Sequence, residues 1–503
     1  MELKTLLSFE WGIMAPEFII LGLTVLLSLL DLFMPKKIDR KVLGWVGFAG
    51  IVAAIAFLVG LIDDPVSSIL YDTFRLDSFS KLFKLLLLGG AALVMLLALS
   101  YEPKEGMKEY RGEFFYLFLA GLLGAMMMTS SGDLITLFVG LELLSISSYI
   151  LAGMRKTNLR SNEAAMKYVI NGGISTGITL FGMSYVYGLT GTTNLIEMGS
   201  FLTTSLESQY IYLLGLAFFM IFVGLSFKLA TAPFHMWAPD VYEGAPTPVT
   251  AFLSVVSKTA GFVLLVRVLL TIFASISSDG AGSLPLLLKV QDYMAFLAGA
   301  TMVIGNVVAL RQRNIKRMLA YSSIAHAGYL LVAVTTFTFI FDALWFYLLA
   351  YLFMNLGAFA VVQLLTEKAG TEDISGFAGL YRRAPFLAVV MGIFILSLAG
   401  IPGTAGFIGK LNIFIGALAP NPGHYVLASL MIAATVVSYI YYFGIMTQMF
   451  FRPSASDEKI RIPAGVSAVV LVCAFATVLF GLMPNIAIDF FHSGNFNLLD
   501  YLQ

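Results

Sequence analysis

Apolar runs of about twenty residues follow one another along this chain, from near residue 14 to near residue 483. A helix needs about 20 mostly apolar residues to cross the hydrocarbon core of a bilayer. About fourteen such runs can be counted, at 14–34, 42–62, 78–100, 113–130, 132–153, 164–190, 209–232, 247–274, 291–310, 315–338, 341–366, 384–416, 424–451 and 463–483. The fourth and fifth are separated only by Ser130, Ser131, Gly132 and Asp133, yet merged they would be far too long for one crossing. Only 12% of the 503 residues are charged, about half the roughly 25% typical of a soluble domain. The expected fold is therefore all-α, a polytopic transmembrane protein. No soluble domain or long linker interrupts the runs. No cleavable signal peptide is evident, because the first apolar run continues to a spanning length.

Loop charges test the count of spans independently. With the loops numbered alternately, one set holds twenty-one Lys and Arg residues. The other set, with the termini, holds five: Lys4, Arg75, Lys81, Lys84 and Lys289. The positive-inside rule puts the first set in the cytoplasm, so fourteen spans leave both termini on the periplasmic side. One helix miscounted in the middle would have inverted the later loops and spoiled this bias.

Several function classes drop out. Formal net charge is zero, so there is no basic footprint for nucleic acid. A single cysteine, Cys473, excludes an internal disulfide, a CxxC redox site and a cysteine-ligated cluster. No HxxxH or HxxH pair occurs among four histidines, and neither GxGxxG nor GxxxxGK[ST] is present for a nucleotide.

Charges within the spans carry the chemistry. Lys228, Lys258, Arg267 and Lys410 remain once the loops are counted, and Glu142 is the acid expected well inside a span. A charge at the bilayer centre costs about 2.5–3.5 kcal/mol on insertion scales, so such residues call for a use. Glu142, in the fifth span, either bridges to a lysine on a neighbouring helix or controls that lysine's hold on its proton. Ser145 lies three residues on, on the same helical face, where its hydroxyl can hold a water. Lys228 precedes Pro233, Pro239, Pro246 and Pro248. Proline lacks the helical N–H and clashes with the preceding turn, so the seventh span should break just after Lys228. Broken helices at membrane depth line cavities; the alternative for Lys228 is to snorkel to the interface.

Lys258 stands mid-span in the eighth run, too deep to snorkel. Arg267, nine residues on, cannot give up its proton and reads as structural. In the twelfth span, Gly400, Pro402, Gly403, Gly406 and Gly409 precede Lys410. Glycines at period three with a proline are poor helix formers, which predicts a second break. His326 has a relay-compatible chemistry, with Ser322 four residues back on the same face; a lone histidine is otherwise commonly a satisfied core residue. His235, beside Pro233, could gate the first break or merely cap it. His424 and His492 look peripheral. A desolvated lysine holds its proton less firmly and a nearby carboxylate restores the hold, so spaced lysines with histidine and hydroxyls suit a proton relay better than a pocket for a large solute.

The stretch 224–263, with LSFKLATAPFHMWAPDVYEGAPTPVTAFLSVVSKTAGF, resembles the signature of the antiporter-like membrane subunits of respiratory complex I. The stretch 313–330, with NIKRMLAYSSIAHAGY, and the GIPGTAGFIGK run around Lys410 are similar to the same family, and the match runs through most of the chain. Lys410, where one member tends to have glutamate, and the absence of a long lateral helix after the fourteenth span narrow the resemblance within the family. It implies two inverted five-helix repeats, spans 4–8 and 9–13, with spans 7 and 12 broken. The matching division is three N-terminal helices in 1–112, repeats in 113–274 and 291–451, and a last helix with its tail in 452–503. The resemblance also implies roles: Glu142 and Lys228 as a Glu–Lys pair, Lys258 as the central lysine, Lys410 as the terminal lysine and His326 as a relay position. Proton pumping coupled to quinone reduction by NADH would then be the activity, in a bacterial inner membrane. FMN, iron–sulfur clusters and quinone would belong to partner subunits, with no cofactor or metal on this chain. The partners would be the other membrane and peripheral subunits, including neighbouring antiporter-like subunits, and the lipid bilayer. A subunit of a multi-subunit cation/proton antiporter or membrane-bound hydrogenase is the near alternative. A stand-alone solute transporter would lack a clustered site, and a purely structural subunit would leave the mid-membrane charges unexplained.

Overall fold

A computed structural model describes residues 8–35, 37–102, 107–205, 208–274, 276, 285–454, 459–492 and 500. Lys4 lies outside the described residues. The first three spans are Trp11–Phe33, Lys41–Gly60 and Ser78–Ser100. Arg111–Ser130, Leu134–Ala152, Leu159–Thr190, Ile211–Leu229 and Thr247–Phe273 follow as spans 4 to 8. Leu286–Ala309, Ile315–Thr336, Ile340–Ala369, the pair Pro385–Ala399 and Ala405–Leu418, and Tyr425–Phe451 are spans 9 to 13, and Ala464–Leu482 is the last. Twelve of these are long and apolar enough to cross a membrane on their own. The other two have physical reasons to differ. Leu159–Thr190 is 32 residues long and carries Asn162, Glu163, Lys167 and Asn171 along its first half, and the twelfth span is two short helices. The chain is a multi-pass, all-α membrane protein. The sole sheet among the described residues is a ribbon of Ser67–Ile69 with Phe74–Leu76.

Local chemistry sets the boundaries. Spans 4 and 5 separate at Asp133, whose carboxylate accepts the free N–H groups of Ile135 (2.8 Å) and Thr136 (3.3 Å) and so caps the fifth helix. The two helices then run in near contact, because a Cβ on Gly124 would lie 2.6 Å from the backbone nitrogen of Leu144. Small residues bring membrane helices together in this way.

Burial sorts the spans into shells. Span 8 is 100% buried over its apolar window, and spans 10 and 11 are 94% buried, whereas spans 1 and 2 are only 33% and 39% buried. The central helices are the ones that carry Lys258, His326 and Tyr347. A helix that is apolar all round belongs in the interior or against lipid, and here its rare polar groups point inward.

Candidate functional site: a buried polar track through two broken spans

Both expected breaks are present. The seventh span ends at Leu229, and Ala230 takes a left-handed conformation with φ of 57°. The chain runs irregularly to the short helix Trp237–Gly244. The carbonyls freed here are claimed by protein groups: the Trp237 indole donates to Phe227 O (3.0 Å) and the Thr231 N–H to Ser226 O (3.0 Å). The Ala232 N–H donates to Thr301 Oγ1 of span 9 (3.0 Å), joining the break to the second half of the chain.

Lys228 is on the last turn before this break, buried, and its ammonium donates to Ser145 Oγ at 3.2 Å. Glu142, half-buried one turn before Ser145 on span 5, accepts from Thr176 Oγ1 at 2.9 Å. No ion pair within 4 Å joins Glu142 to Lys228. Ser145, whose hydroxyl can hold a water, accepts from the lysine directly. Lys228 does not snorkel.

Lys258 is 4% exposed. It follows a π-helical turn, Leu253–Ser257, which sequence gave no reason to expect. Such turns often mark functional positions in helices. Its ammonium donates to Ser323 of span 10, at both the carbonyl and the hydroxyl, and lies 5.5 Å from the centre of the Tyr351 ring. The Ser323 hydroxyl is within 3.3 Å of Tyr242 OH. Gly261, one turn beyond Lys258, packs where a Cβ would come 3.3 Å from Lys228 Cγ, so the helix bearing the central lysine lies against Lys228.

His326 faces two tyrosines. Its Nδ1 is 2.5 Å from Tyr347 OH and its Nε2 is 3.2 Å from Tyr442 OH. Tyr442 OH is also 2.5 Å from Ser322 Oγ. Ser322 therefore does join His326, but through Tyr442 of span 13. The ring of His326 lies 5.8 Å from that of Tyr329, and Lys410 Nζ stands 4.8 Å above the Tyr329 ring.

The second break is built differently. Helix Pro385–Ala399 ends at Gly400, φ 82°, and Ala405–Leu418 begins after Thr404. Lys410 folds back and donates to the carbonyls of Leu398 (3.0 Å) and Ala399 (3.1 Å), the groups this break leaves free. Gly400 is needed twice over. Its backbone angle favours glycine, and a Cβ there would lie 2.9 Å from Lys410 Cδ.

His235 is buried beside the first break, and its Nδ1 has no hydrogen-bond partner. Pro233 and Pro402 are exposed at the two breaks. Arg267 is structural: it donates to both carboxylate oxygens of Asp77 (3.0 and 2.9 Å) and to Thr129 O (2.6 Å). Loop counting misplaced Lys81 and Lys84, which are buried within the third helix. Lys84 pairs with Glu17 at 2.5 Å, so Glu142 is not the lone acid within the spans. Among the described residues, no group of three or more His, Cys, Asp or Glu could hold a metal ion.

Where spans 6 and 10 meet the short helix after the break, an ionic network closes the bundle. Asp240 accepts from Lys167 (2.6 Å) and Arg317 (2.5 Å), and Glu243 from Arg317 (2.9 Å). Burial pushes the Asp240 carboxyl up, but hydrogen bonds from Lys167 and Arg317 outweigh it and hold the group below the usual carboxylate range.

The model of the family described as NADH:quinone oxidoreductase/Mrp antiporter, TM, matches residues 131–438, more than half of the chain. The chain belongs to this family. A relative in Geobacillus sp. (strain WCH70), NADH-quinone oxidoreductase subunit N, is 62% identical over 97% of this chain and 100% of its own. A chain of respiratory complex I from Thermus thermophilus with bound aureothin superposes with a TM-score of 0.78 at 32% identity, covering 94% of this chain and 98% of its own. A chain of the Mrp complex from a Dietzia species shares the fold alone, with a TM-score of 0.82 at 20% identity over 98% of this chain and 99% of its own.

Within this antiporter-family scaffold, the groups that sequence reading missed are mostly tyrosines. Tyr242, Tyr347 and Tyr442 each bring a buried hydroxyl to the track. Their signal was present but diffuse: a phenol inside an apolar span needs a polar partner. With 22 tyrosines in the chain, spacing could not say which ones meet.

Proposed function

We propose that the chain is a proton-translocating membrane subunit of an NADH-quinone oxidoreductase of the complex I type, and that Glu142, Lys228, Lys258, His326 and Lys410 carry its proton path. The observation that supports this best is the setting of Lys258. It is a mid-span cation, nearly free of solvent, hydrogen-bonded among the described residues to Ser323, and beside that serine Ser322 opens onto Tyr442 and His326. An ammonium, hydroxyls and an imidazole within reach of one another can each release and accept a proton, as intramembrane ionisable groups commonly do.

In this reading Lys228 and Glu142 form the first station. Ser145 stands between them, so a rotation of either side chain remakes the pair and changes how firmly Lys228 holds its proton. Lys258 is the second station, and Lys410 the third. The two stretches 113–274 and 291–451 act as inverted repeats, each contributing one broken helix. His235, with its unpartnered ring nitrogen, guards the first break. Both termini face the periplasm, the membrane is the bacterial inner membrane, and the partners are the other complex I subunits. Those partners carry FMN, the iron–sulfur clusters and the quinone site. The alternative, a subunit of a cation/proton antiporter complex, has the support of fold likeness.

Two measurements test the proposal. Purification in mild detergent should bring flavin- and iron–sulfur-containing subunits with the chain; isolation as an active monomer contradicts it. Lys258→Ala or Glu142→Ala in the assembled complex should lower NADH-driven proton pumping in vesicles. Pumping at the parent level with normal assembly removes those residues from the path.

A further inference from the structure

The buried charges outside the track fall into two kinds, and the difference is chemical. Lys316 shows how a structural lysine is held: its ammonium donates to Ala245 O (2.7 Å), Glu243 O (2.8 Å) and Glu372 Oε1 (3.2 Å), so three acceptors meet three protons. Arg267 is anchored through one nitrogen by both Asp77 oxygens and Thr129 O, although its Nε has no partner among the described residues. Lys84 is not so anchored. It is 0% exposed and meets Glu17, 2% exposed, at 2.5 Å. Beyond that contact, neither carboxylate oxygen of Glu17 nor the Lys84 ammonium has a hydrogen-bond partner among the protein groups. A buried pair that only offsets its own desolvation needs further hydrogen bonds to be a good clamp, and this pair lacks them.

Its position is also informative. Glu17 and Lys84 each lie six residues into their helices, Trp11–Phe33 and Ser78–Ser100, and six residues correspond to roughly 9 Å of helix at 1.5 Å per residue. The charged groups near enough to act on Lys84 are Glu17, Asp77 and Arg267. Toward the rim, one turn back on the same face, Lys81 donates to the carbonyls of Ile62 (3.2 Å) and Asp64 (2.5 Å) in an exposed loop. At the helix start, Ser78 donates from its hydroxyl (2.6 Å) and its N–H (3.1 Å) to Asp500, while Arg75 donates to Asp500 O (2.8 Å). Titratable groups thus descend from water to the pair. Toward the interior, Arg267 belongs to the helix that carries Lys258, nine residues away.

We propose that Glu17 and Lys84 form a second proton-holding site, outside the matched family region, which exchanges protons with the rim bearing Asp64 and Asp500. The inference rests on the reading of the chain as a proton-moving subunit. The exchange balances simply. The resting pair is carboxylate beside ammonium. Transfer of a proton from Nζ to Oε1 gives neutral acid beside neutral amine with no change in net charge; the acid then gives that proton to the rim, and uptake of a proton from the rim by the amine restores the pair.

Lys84→Arg in the whole complex is the deciding variant, because arginine keeps the charge pair but does not release its proton. The complex should assemble and oxidise NADH at the parent rate, with fewer protons moved per NADH. The double variant Glu17→Gln with Lys84→Met, neutral and similar in size, should show the same loss. Parent-level pumping by either assembled variant overturns the proposal, and so does failure of both to assemble, which would make the pair a clamp. Lys258→Ala is the control: if it too pumps normally, the functional reading itself fails, and if it alone loses pumping, only this inference does.

Discussion

The two broken spans hold their lysines in opposite ways. At the first break the freed carbonyls are claimed by Trp237 and Thr231, and Lys228 is left to a side-chain hydroxyl, Ser145, with Glu142 one turn off. At the second, Lys410 itself takes the freed carbonyls of Leu398 and Ala399. Side chains change rotamer readily, while a backbone carbonyl moves only with its helix. The first lysine is therefore set up for a partner that comes and goes, and the second for one that stays. The same fold element yields an adjustable station and a fixed one.

The sharpest way to break this contrast is to remove each lysine in turn. Lys410→Ala strips two buried carbonyls of their donor, at about 1–3 kcal/mol for each buried group left unsatisfied. It should lower both pumping and the complex's thermal stability. Lys228→Ala leaves only a hydroxyl that can turn to another acceptor. Its pumping loss should be comparable, but its stability cost should stay near 1 kcal/mol. Equal melting shifts for the two would erase the distinction. Next in size, Glu142→Gln keeps the shape and removes the charge that acts across Ser145. It should slow pumping while leaving assembly and detergent stability unchanged; a loss of assembly would mark Glu142 as structural.

Ser145→Ala should have a smaller effect. It deletes the direct acceptor of Lys228 and lets Lys228 approach Glu142 directly. Pumping should fall less than with Glu142→Gln, and the double variant should be no worse than Glu142→Gln alone. The smallest effect belongs to the network behind the first break. Asp240→Asn should cost no more than about 1 kcal/mol, as partly exposed ion pairs do. Because Asp240 is held below the usual carboxylate range, its contribution is fully present above the ordinary pKa of the unfolded chain. It disappears as pH falls through the depressed value. Acid-melting curves of parent and variant should thus converge at low pH.

Much of this contrast was legible in the sequence, for specific reasons. Pro233 and the Gly400-to-Gly409 repeat announce both breaks because their effect is local and covalent. Lys258 announces itself because a charge far from both ends of an apolar run has nowhere to go. What stayed hidden depends on which helices meet. Tyr442 lies 120 residues from Ser322 in the chain, yet joins it at 2.5 Å. Glu17 and Lys84 sit near the starts of their apolar runs, where counting charges took Lys84 for a loop residue, yet neighbouring helices and the ribbon bury them. The π-helical turn before Lys258 leaves no mark in a sequence of small and β-branched residues.

The central claim is that a releasable proton on Lys258, and not merely a charge at that place, is what the membrane arm uses. Lys258→Arg in the assembled complex tests it most directly, through protons moved per NADH oxidised in sealed vesicles. The account predicts a complex that assembles and oxidises NADH but pumps fewer protons than the parent. Pumping at the parent ratio with arginine in place would contradict it.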